Sequence, residues 1–203
     1  GGVEEMNILY LEDYIKKIND QVSEDHFLYC NGQLKKIRDG ENRLDDGRFY
    51  VLRSTLDEKD NHTLVKLFIK NLSAQPVEIK LFVGNCLIEL KNNYIFVSPK
   101  KNVMFLANDD GLTLASGMIH KSPFSQYGVL KRKNYTEKIS CGRLPLYPLG
   151  AGDVVGIYSL EARVRPYQNV TAYTWMIRSN KYHKNELLKW NEEIKSGLAF
   201  SNN

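Results

Sequence analysis

The residues best suited to bind a ligand in this sequence are aromatic side chains with an arginine among them. Tyr158, Tyr167, Tyr173 and Trp175 occur close together in the sequence, and Arg163 lies between them. A flat aromatic face can stack on a sugar ring while a guanidinium hydrogen-bonds to its hydroxyl groups. We therefore name these five residues as a candidate carbohydrate-binding set. The competing interpretation is that they fill the core and the sheet edges, because tyrosine and tryptophan suit half-buried strands.

No pattern in the sequence is typical of a catalytic or metal centre. Ser116 lacks the glycine-flanked elbow of hydrolase nucleophiles. The histidines have no second ligand at metal-binding spacing on one element; they are His26, His62, His120 and His183. The string from Gly150 to Asp153 leads into a strand rather than a helix, so it predicts a tight turn and not a phosphate site. We predict no catalytic residue, no metal and no cofactor.

Composition and charge exclude several classes of partner. The net charge is +4, from 28 basic and 24 acidic residues, which is too balanced for a nucleic-acid-binding surface. No window approaches the ~20 apolar residues of a membrane span, and the first residues lack the basic region of a signal peptide. The cysteines are odd in number and far apart, as expected of reduced thiols; they are Cys30, Cys86 and Cys141. We expect a soluble cytoplasmic protein.

Most of the chain alternates between apolar and polar residues, which indicates strands with one wet face. From Val77 to Val83, for example, every second residue is apolar. The pair Asn31-Gly32 predicts a hairpin, because both central residues of a type I′ turn need positive φ. The run from Asn108 to Gly111 is a second strong turn signal. We predict one mainly β domain over residues 1–203, an antiparallel β-sandwich with ten or more strands between about 26 and 178.

Two amphipathic helices are predicted to flank the strands. The first covers about residues 7–22, where apolar residues recur at spacings of three and four. The second covers about residues 183–196, with Gly197 at the position just after its end. The strand at 170–178 is apolar on both faces, so we expect this second helix to cover it near Trp175. The first helix docks on its own domain or forms a homodimer.

The order of features in residues 94–196 resembles the N-terminal β-sandwich domain of bacterial glucoamylase-like glycoside hydrolases. The matching residues are Ser98, Pro99, Val103, Phe105, Gly142, Leu144, Gly152, Asp153, Val154, Tyr173, Trp175, Leu187 and Asn191. The resemblance implies a large sandwich of the kind that packs on a helical catalytic barrel. This sequence has no such barrel, so no catalytic residue carries over.

Three functions remain open from the sequence. The first is a non-catalytic binding or accessory protein, with a carbohydrate or a protein as its partner. The second is a small hydrolase or other enzyme whose site is assembled from scattered residues on the sandwich, for example a pair of carboxylates from distant strands. The third is a structural subunit that dimerises through the N-terminal helix. We favour the first because no catalytic motif is present.

Overall fold

The structure is a computed structural model that describes residues 17–201. Its described part is mainly β, with two antiparallel sheets in a sandwich-like arrangement, as the alternating sequence predicts. The strands are β1 (Val22–Cys30), β2 (Gln33–Ile37), β3 (Gly40–Leu44), β4 (Phe49–Lys59), β5 (His62–Asn71), β6 (Val77–Leu87), β7 (Tyr94–Ser98), β8 (Val103–Asn108), β9 (Gly111–Ile119), β10 (Tyr127–Lys131), β11 (Leu149–Ala151), β12 (Val154–Val164) and β13 (Asn169–Ser179). Helix α1 covers Tyr135–Ile139 and helix α2 covers Lys184–Ser201.

The two sheets differ in size. The smaller sheet has five strands in the order β10-β12-β6-β1-β2, and the larger has eight in the order β11-β7-β8-β9-β13-β5-β4-β3. In β5 the inward residues Thr63, Val65 and Leu67 are buried, while their neighbours are half-buried. This alternation places one face of each strand in the core between the sheets, because successive side chains point to opposite faces.

The predicted turns are confirmed. Asn31 and Gly32 both have positive φ, of 50° and 77°, and connect β1 to β2. Asn108 pairs with Gly111 across the turn between β8 and β9. Gly152 has a φ of 84° and lies just before β12, so the glycine string forms a tight turn that enters a strand.

The predicted N-terminal helix is wrong in the part that the structure describes. Residues 7–16 of this prediction lie outside the described residues. Residues Ile18–Asp20 form a short 3₁₀ helix, and β1 begins at Val22. Val22 pairs with Leu87 of β6, so sheet pairing overrides the helical spacing of the apolar residues at this point.

The C-terminal helix is present and covers the larger sheet, as predicted. It is longer than predicted, because it continues past Gly197 to Ser201, and Gly197 is therefore not a helix-terminating residue. Leu187 and Leu198 are buried, and the Trp175 indole Nε1 donates a hydrogen bond of 2.9 Å to Asn191 Oδ1. No helix in residues 17–201 is long and apolar enough to cross a membrane.

Candidate functional site

Three of the five predicted ligand-binding residues are buried. Tyr158 and Trp175 have no exposed surface, and Tyr173 is 6% exposed. Tyr158 lies between the sheets, where its hydroxyl donates to Ser116 O at 2.9 Å; burial raises the pKa of this hydroxyl well above its usual value. Tyr173 and Trp175 lie on the opposite face of the larger sheet, in a cluster with Leu198 of α2. These three rings fill cores, so the five residues do not form one exposed surface.

The other two predicted residues are exposed. Arg163 lines an open groove of about 530 Å³ beside β6, and its Nη1 lies 3.8 Å from Glu78 Oε1. Tyr167 is 61% exposed in the turn between β12 and β13, and it does not line that groove. Tyr29 of β1 is an aromatic wall of the groove, but Lys80 Nζ lies 5.8 Å from the centre of its ring.

A different aromatic residue, Trp190, lines a cavity of about 340 Å³ at one end of the larger sheet. We call it the Trp190 cavity. Its walls are mostly polar side chains from four separate segments of the chain: Gln21, Asp60, Asn61, Arg178, Ser179, Asn180, Glu186, Leu187 and Trp190. One aromatic wall and several amide and carboxylate groups make this the described cavity best suited to a polar ring-shaped ligand.

Backbone hydrogen bonds hold these segments together. The turn between β4 and β5 consists of Asp60 and Asn61. Asp60 O accepts a 2.7 Å hydrogen bond from Ile18 N, and Asn61 O accepts one of 2.8 Å from Arg178 N. The turn is thereby fixed to the 3₁₀ helix on one side and to the end of β13 on the other. These bonds fix the backbone of the 3₁₀ helix, the turn and the end of β13 relative to one another.

Arg178 is the most buried charge of the Trp190 cavity. It is 5% exposed, and its Nη1 and Nη2 donate to Thr113 Oγ1 at 2.6 Å and to Asn108 Oδ1 at 3.2 Å. Its Nε has no hydrogen-bond partner among the described residues. Burial lowers the pKa of the guanidinium, and the nearby Asp110 carboxylate opposes that effect. The side chain is thus held in place by neutral acceptors, and its Nε is a buried donor with no partner among the described residues.

A short chain of contacts supports the Trp190 ring. The ring of His62 packs edge-on to it, with centroids 5.3 Å apart. His62 Nε2 donates to Asp57 Oδ2 at 2.8 Å, and Nδ1 lies 3.3 Å from Asn61 Oδ1. The hydrogen bond from His62 lowers the pKa of the Asp57 carboxyl. The hydrogen bond to Asp57 orients the imidazole ring against which Trp190 packs.

A second polar cavity lies between the two sheets, and we call it the Glu24 cleft. Its volume is about 270 Å³, and it is lined by Asn19, Val22, Ser23, Glu24, Arg53, Thr55, Glu58, Thr63, Val65 and Met176. The Glu24 side chain is 4% exposed. Glu24 Oε1 accepts from Thr174 Oγ1 at 2.7 Å and lies 3.1 Å from His26 Nε2. His26 Nε2 also lies 2.9 Å from Thr174 Oγ1.

The grouping of Thr174, His26 and Glu24 contains the residue types of a nucleophile, a base and an acid, but its hydrogen bonds do not fit that role. Arg53 Nε donates to His26 Nδ1 at 3.1 Å. An arginine never accepts, so neutral His26 carries its proton on Nε2, the nitrogen that faces Thr174. A general base needs a free lone pair at that nitrogen. No group of three or more metal-ligating side chains exists in residues 17–201 either.

Sequence reasoning missed Trp190 and Arg178 as site residues. Trp190 falls within the predicted C-terminal helix, on the same apolar side as Leu187 and Leu188. Spacing along a helix shows which residues share a face, but it does not show where the covering sheet ends. Arg178 was the last residue of a predicted strand, with no signal of its burial. The turn of Asp60 and Asn61 carried one usable signal, since polar turn residues are frequent in binding sites.

Comparisons with known proteins give only a distant similarity. No protein-family model matches the chain, and no curated protein matches it. Among solved structures, the chain is similar to an inverting mannosidase of family GH92 from Bacteroides thetaiotaomicron, at 12% identity and a TM-score of 0.38. The match covers 88% of this chain and 25% of that enzyme. The similarity is to a glycoside hydrolase, but not specifically to the glucoamylase-like group, and at this level it assigns no function.

Proposed function

We propose that this protein is a non-catalytic β-sandwich that binds carbohydrate in the Trp190 cavity. The observation that carries the proposal is that one cavity combines the half-buried Trp190 ring with Arg178, whose buried Nε has no partner within residues 17–201. A sugar ring has an apolar C–H face and a rim of hydroxyl groups. Trp190 suits the face, and Arg178 offers a hydrogen-bond donor to the rim.

The remaining walls add the polar groups that sugar recognition needs. Asn61 and Asn180 each carry an amide that both donates and accepts, while Asp60 and Glu186 accept. Glu186 is held by His183, whose Nδ1 lies 3.0 Å from Glu186 Oε2. A sugar hydroxyl also both donates and accepts, so mixed groups of this kind satisfy it better than a wall of one charge.

The size of the cavity limits the ligand. A volume of about 340 Å³ lies at the lower end of the ~300–1,000 Å³ typical of ligand pockets. We expect the cavity to hold one sugar ring, with any further rings of an oligosaccharide outside it. Binding through one ring and few hydrogen bonds gives dissociation constants on the order of a millimolar.

Tryptophan fluorescence tests this proposal directly, because the chain has only two tryptophans and Trp175 is fully buried. Titration with neutral and acidic oligosaccharides is expected to change the emission in a saturable way. The variant Trp190→Phe is expected to lose the response, since the remaining tryptophan does not reach the cavity. Calorimetry with Trp190→Ala is expected to show at least a tenfold weaker affinity.

The matched control is Arg163→Ala, which removes a residue of the open groove on the other sheet. This variant is expected to bind as the wild type does. No response to any oligosaccharide at millimolar concentration would refute the proposal. Loss of binding in Arg163→Ala but not in Trp190→Ala would mean that the ligand binds in the open groove and not in the Trp190 cavity. Release of reducing sugar during the titration would favour the hydrolase alternative.

A further inference from the structure

We propose that the Glu24 cleft binds a small organic ammonium ion, at a site separate from the Trp190 cavity. The cleft opens between β1 of the smaller sheet and strands β4, β5 and β13 of the larger one. Its inner wall is apolar, with Val22, Val65 and Met176 buried, and its rim is exposed at Thr55 and Glu58. A carboxylate beside an apolar wall suits a ligand with one charged end and a short hydrocarbon end.

The first observation is the incomplete hydrogen bonding of Glu24. Its Oε1 is engaged by Thr174 and His26, but its Oε2 is buried and has no hydrogen-bond partner among the described residues. A carboxylate accepts up to about four hydrogen bonds. A buried polar atom without a partner is costly and calls for an explanation. A donor supplied by a ligand would satisfy it.

The second observation comes from the opposite strand. Thr63 on β5 is 6% exposed, and its Oγ1 also has no hydrogen-bond partner in the part of the chain that the structure describes. Thr63 and Glu24 line the same cleft from different sheets. An ammonium group carries three donors and no acceptor, so a single such group can donate to more than one oxygen.

The charges around the cleft favour a cation over an anion. Two carboxylates line it, those of Glu24 and Glu58, against one guanidinium, that of Arg53. The guanidinium is already engaged: its Nε donates to His26, and its Nη1 lies 3.9 Å from Asp39 Oδ1. Among residues 17–201 no lysine or arginine forms an ion pair with Glu24, whose one basic neighbour is His26, and an ammonium ion would supply a full positive charge.

Size decides which ammonium ion is the best probe. The volume of about 270 Å³ accommodates a four-carbon chain against Val65 and Met176. Both unpartnered oxygens are buried, so the exposed rim must shift slightly when the ligand enters. We therefore use n-butylammonium chloride, for which a dissociation constant on the order of 1–10 mM is expected.

The experiment is a titration of the ¹⁵N-labelled protein followed by two-dimensional NMR. n-Butylammonium is expected to shift the amide signals of Glu24 and Thr63 in a saturable way. Neutral n-butanol and tetramethylammonium, which lacks N–H donors, are expected to leave them nearly unchanged. Equal shifts with n-butanol would overturn the proposal, as would the absence of a saturable shift at about 50 mM n-butylammonium.

Variants test whether n-butylammonium binding depends on Glu24 Oε2 and Thr63 Oγ1. Glu24→Gln keeps the shape of the side chain and is expected to weaken binding by about tenfold or more. Thr63→Val leaves the Glu24 network intact and is expected to weaken binding by about threefold, which tests the proposal even if the first variant does not fold. Asp25→Asn, on the same strand with its side chain near Lys36, is the control and is expected to bind normally.

The two proposed sites are independent. Trp190→Ala is expected to bind n-butylammonium as the wild type does, and Glu24→Gln is expected to keep the response to oligosaccharides. Retention of n-butylammonium binding in both Glu24→Gln and Thr63→Val would refute the ammonium site and leave the carbohydrate proposal untouched.

Discussion

Trp175 and Trp190 belong to the same contact between helix α2 and the larger sheet, but their surroundings differ. Trp175 on β13 has no exposed surface, and its Nε1 donates to Asn191 of the helix. Trp190 on the helix is half-buried, lines a polar cavity and packs edge-on to His62. The first ring lies in the middle of the interface, while the second lies where it ends.

The difference shows how one packed interface can contribute both to stability and to binding. In the middle of the interface, the sheet and the helix bury apolar groups against each other. The Trp175 indole N–H, its one polar side-chain group, has a hydrogen-bond partner on the helix. At its end, the helix meets two turns and the end of a strand, whose polar groups cannot all be covered. Binding sites frequently form where rigid elements present such loops.

The largest effect that tests this difference is expected from Trp175→Ala. Removal of a fully buried indole leaves a cavity and an unpartnered Asn191 Oδ1, so the free energy of unfolding is expected to fall by about 3–5 kcal/mol. Urea denaturation followed by circular dichroism measures the change. Ligand affinity, measured well below the denaturation midpoint, is expected to change little.

The matched variant is Trp190→Ala, which removes the same side chain from the end of the interface. Because this ring is only half-buried, the expected loss is about 1–2 kcal/mol, together with the loss of carbohydrate binding. Equal losses of unfolding free energy in Trp175→Ala and Trp190→Ala would contradict the proposed difference between the two sites. A larger loss in Trp190→Ala would mean that its ring belongs to the core.

The sequence predicted much of the fold because local rules agree with the tertiary structure there. Strand alternation in β5 and β6 follows from one buried face, and the turn at Asn31-Gly32 follows from its φ requirement. The helix predicted at 7–22 failed over its last residues because the pairing of Val22 with Leu87 is non-local. The spacing of apolar residues within one segment cannot predict a pairing with a strand so far away in the sequence.

The candidate site could not be predicted from the sequence in the same way. Trp175 is of a residue type that suits a stacking platform, but the C-terminal helix covers it, as the two apolar faces of its strand predict. The Trp190 cavity requires Gln21, Asp60 and Arg178 to meet, although they are far apart in the sequence. Their meeting depends on the pairing of β5 with β13 and on backbone bonds at the turn.

A smaller effect, of opposite sign, is expected from Gly197→Ala. Gly197 lies inside α2 next to the buried Leu198, and a Cβ atom added there meets nothing within 4 Å. Alanine loses less backbone entropy than glycine in a helix, so a gain of about 0.5–1 kcal/mol is expected in urea denaturation. Gly197 lies beside the part of the helix that packs on Trp175 and not beside the cavity. The fluorescence of Trp190 should therefore not change. A loss of stability would show that this part of the helix is under strain.

The smallest effect concerns the support of Trp190 by His62 and Asp57 in acid. The hydrogen bond from His62 lowers the pKa of the Asp57 carboxyl below its ordinary value of 3.8. A carboxyl with a lowered pKa stabilises the folded state above its unfolded pKa, and that stabilisation is lost as the pH falls through the folded pKa. The difference in unfolding free energy between wild type and Asp57→Asn should therefore be constant above about pH 5 and shrink below about pH 4.

Fluorescence separates this effect from general acid unfolding. If Asp57 acts through His62 on the Trp190 ring, the emission of Trp190 should change over the same acidic range in the wild type and less in Asp57→Asn. Trp175, observed alone in Trp190→Phe, should show no such change, because its environment contains no part of this chain of contacts. A difference between wild type and Asp57→Asn that persists undiminished to about pH 2 would mean that it does not come from the ionised Asp57 carboxylate. The middle of the interface at Trp175 and its end at Trp190 would then not differ in their response to acid.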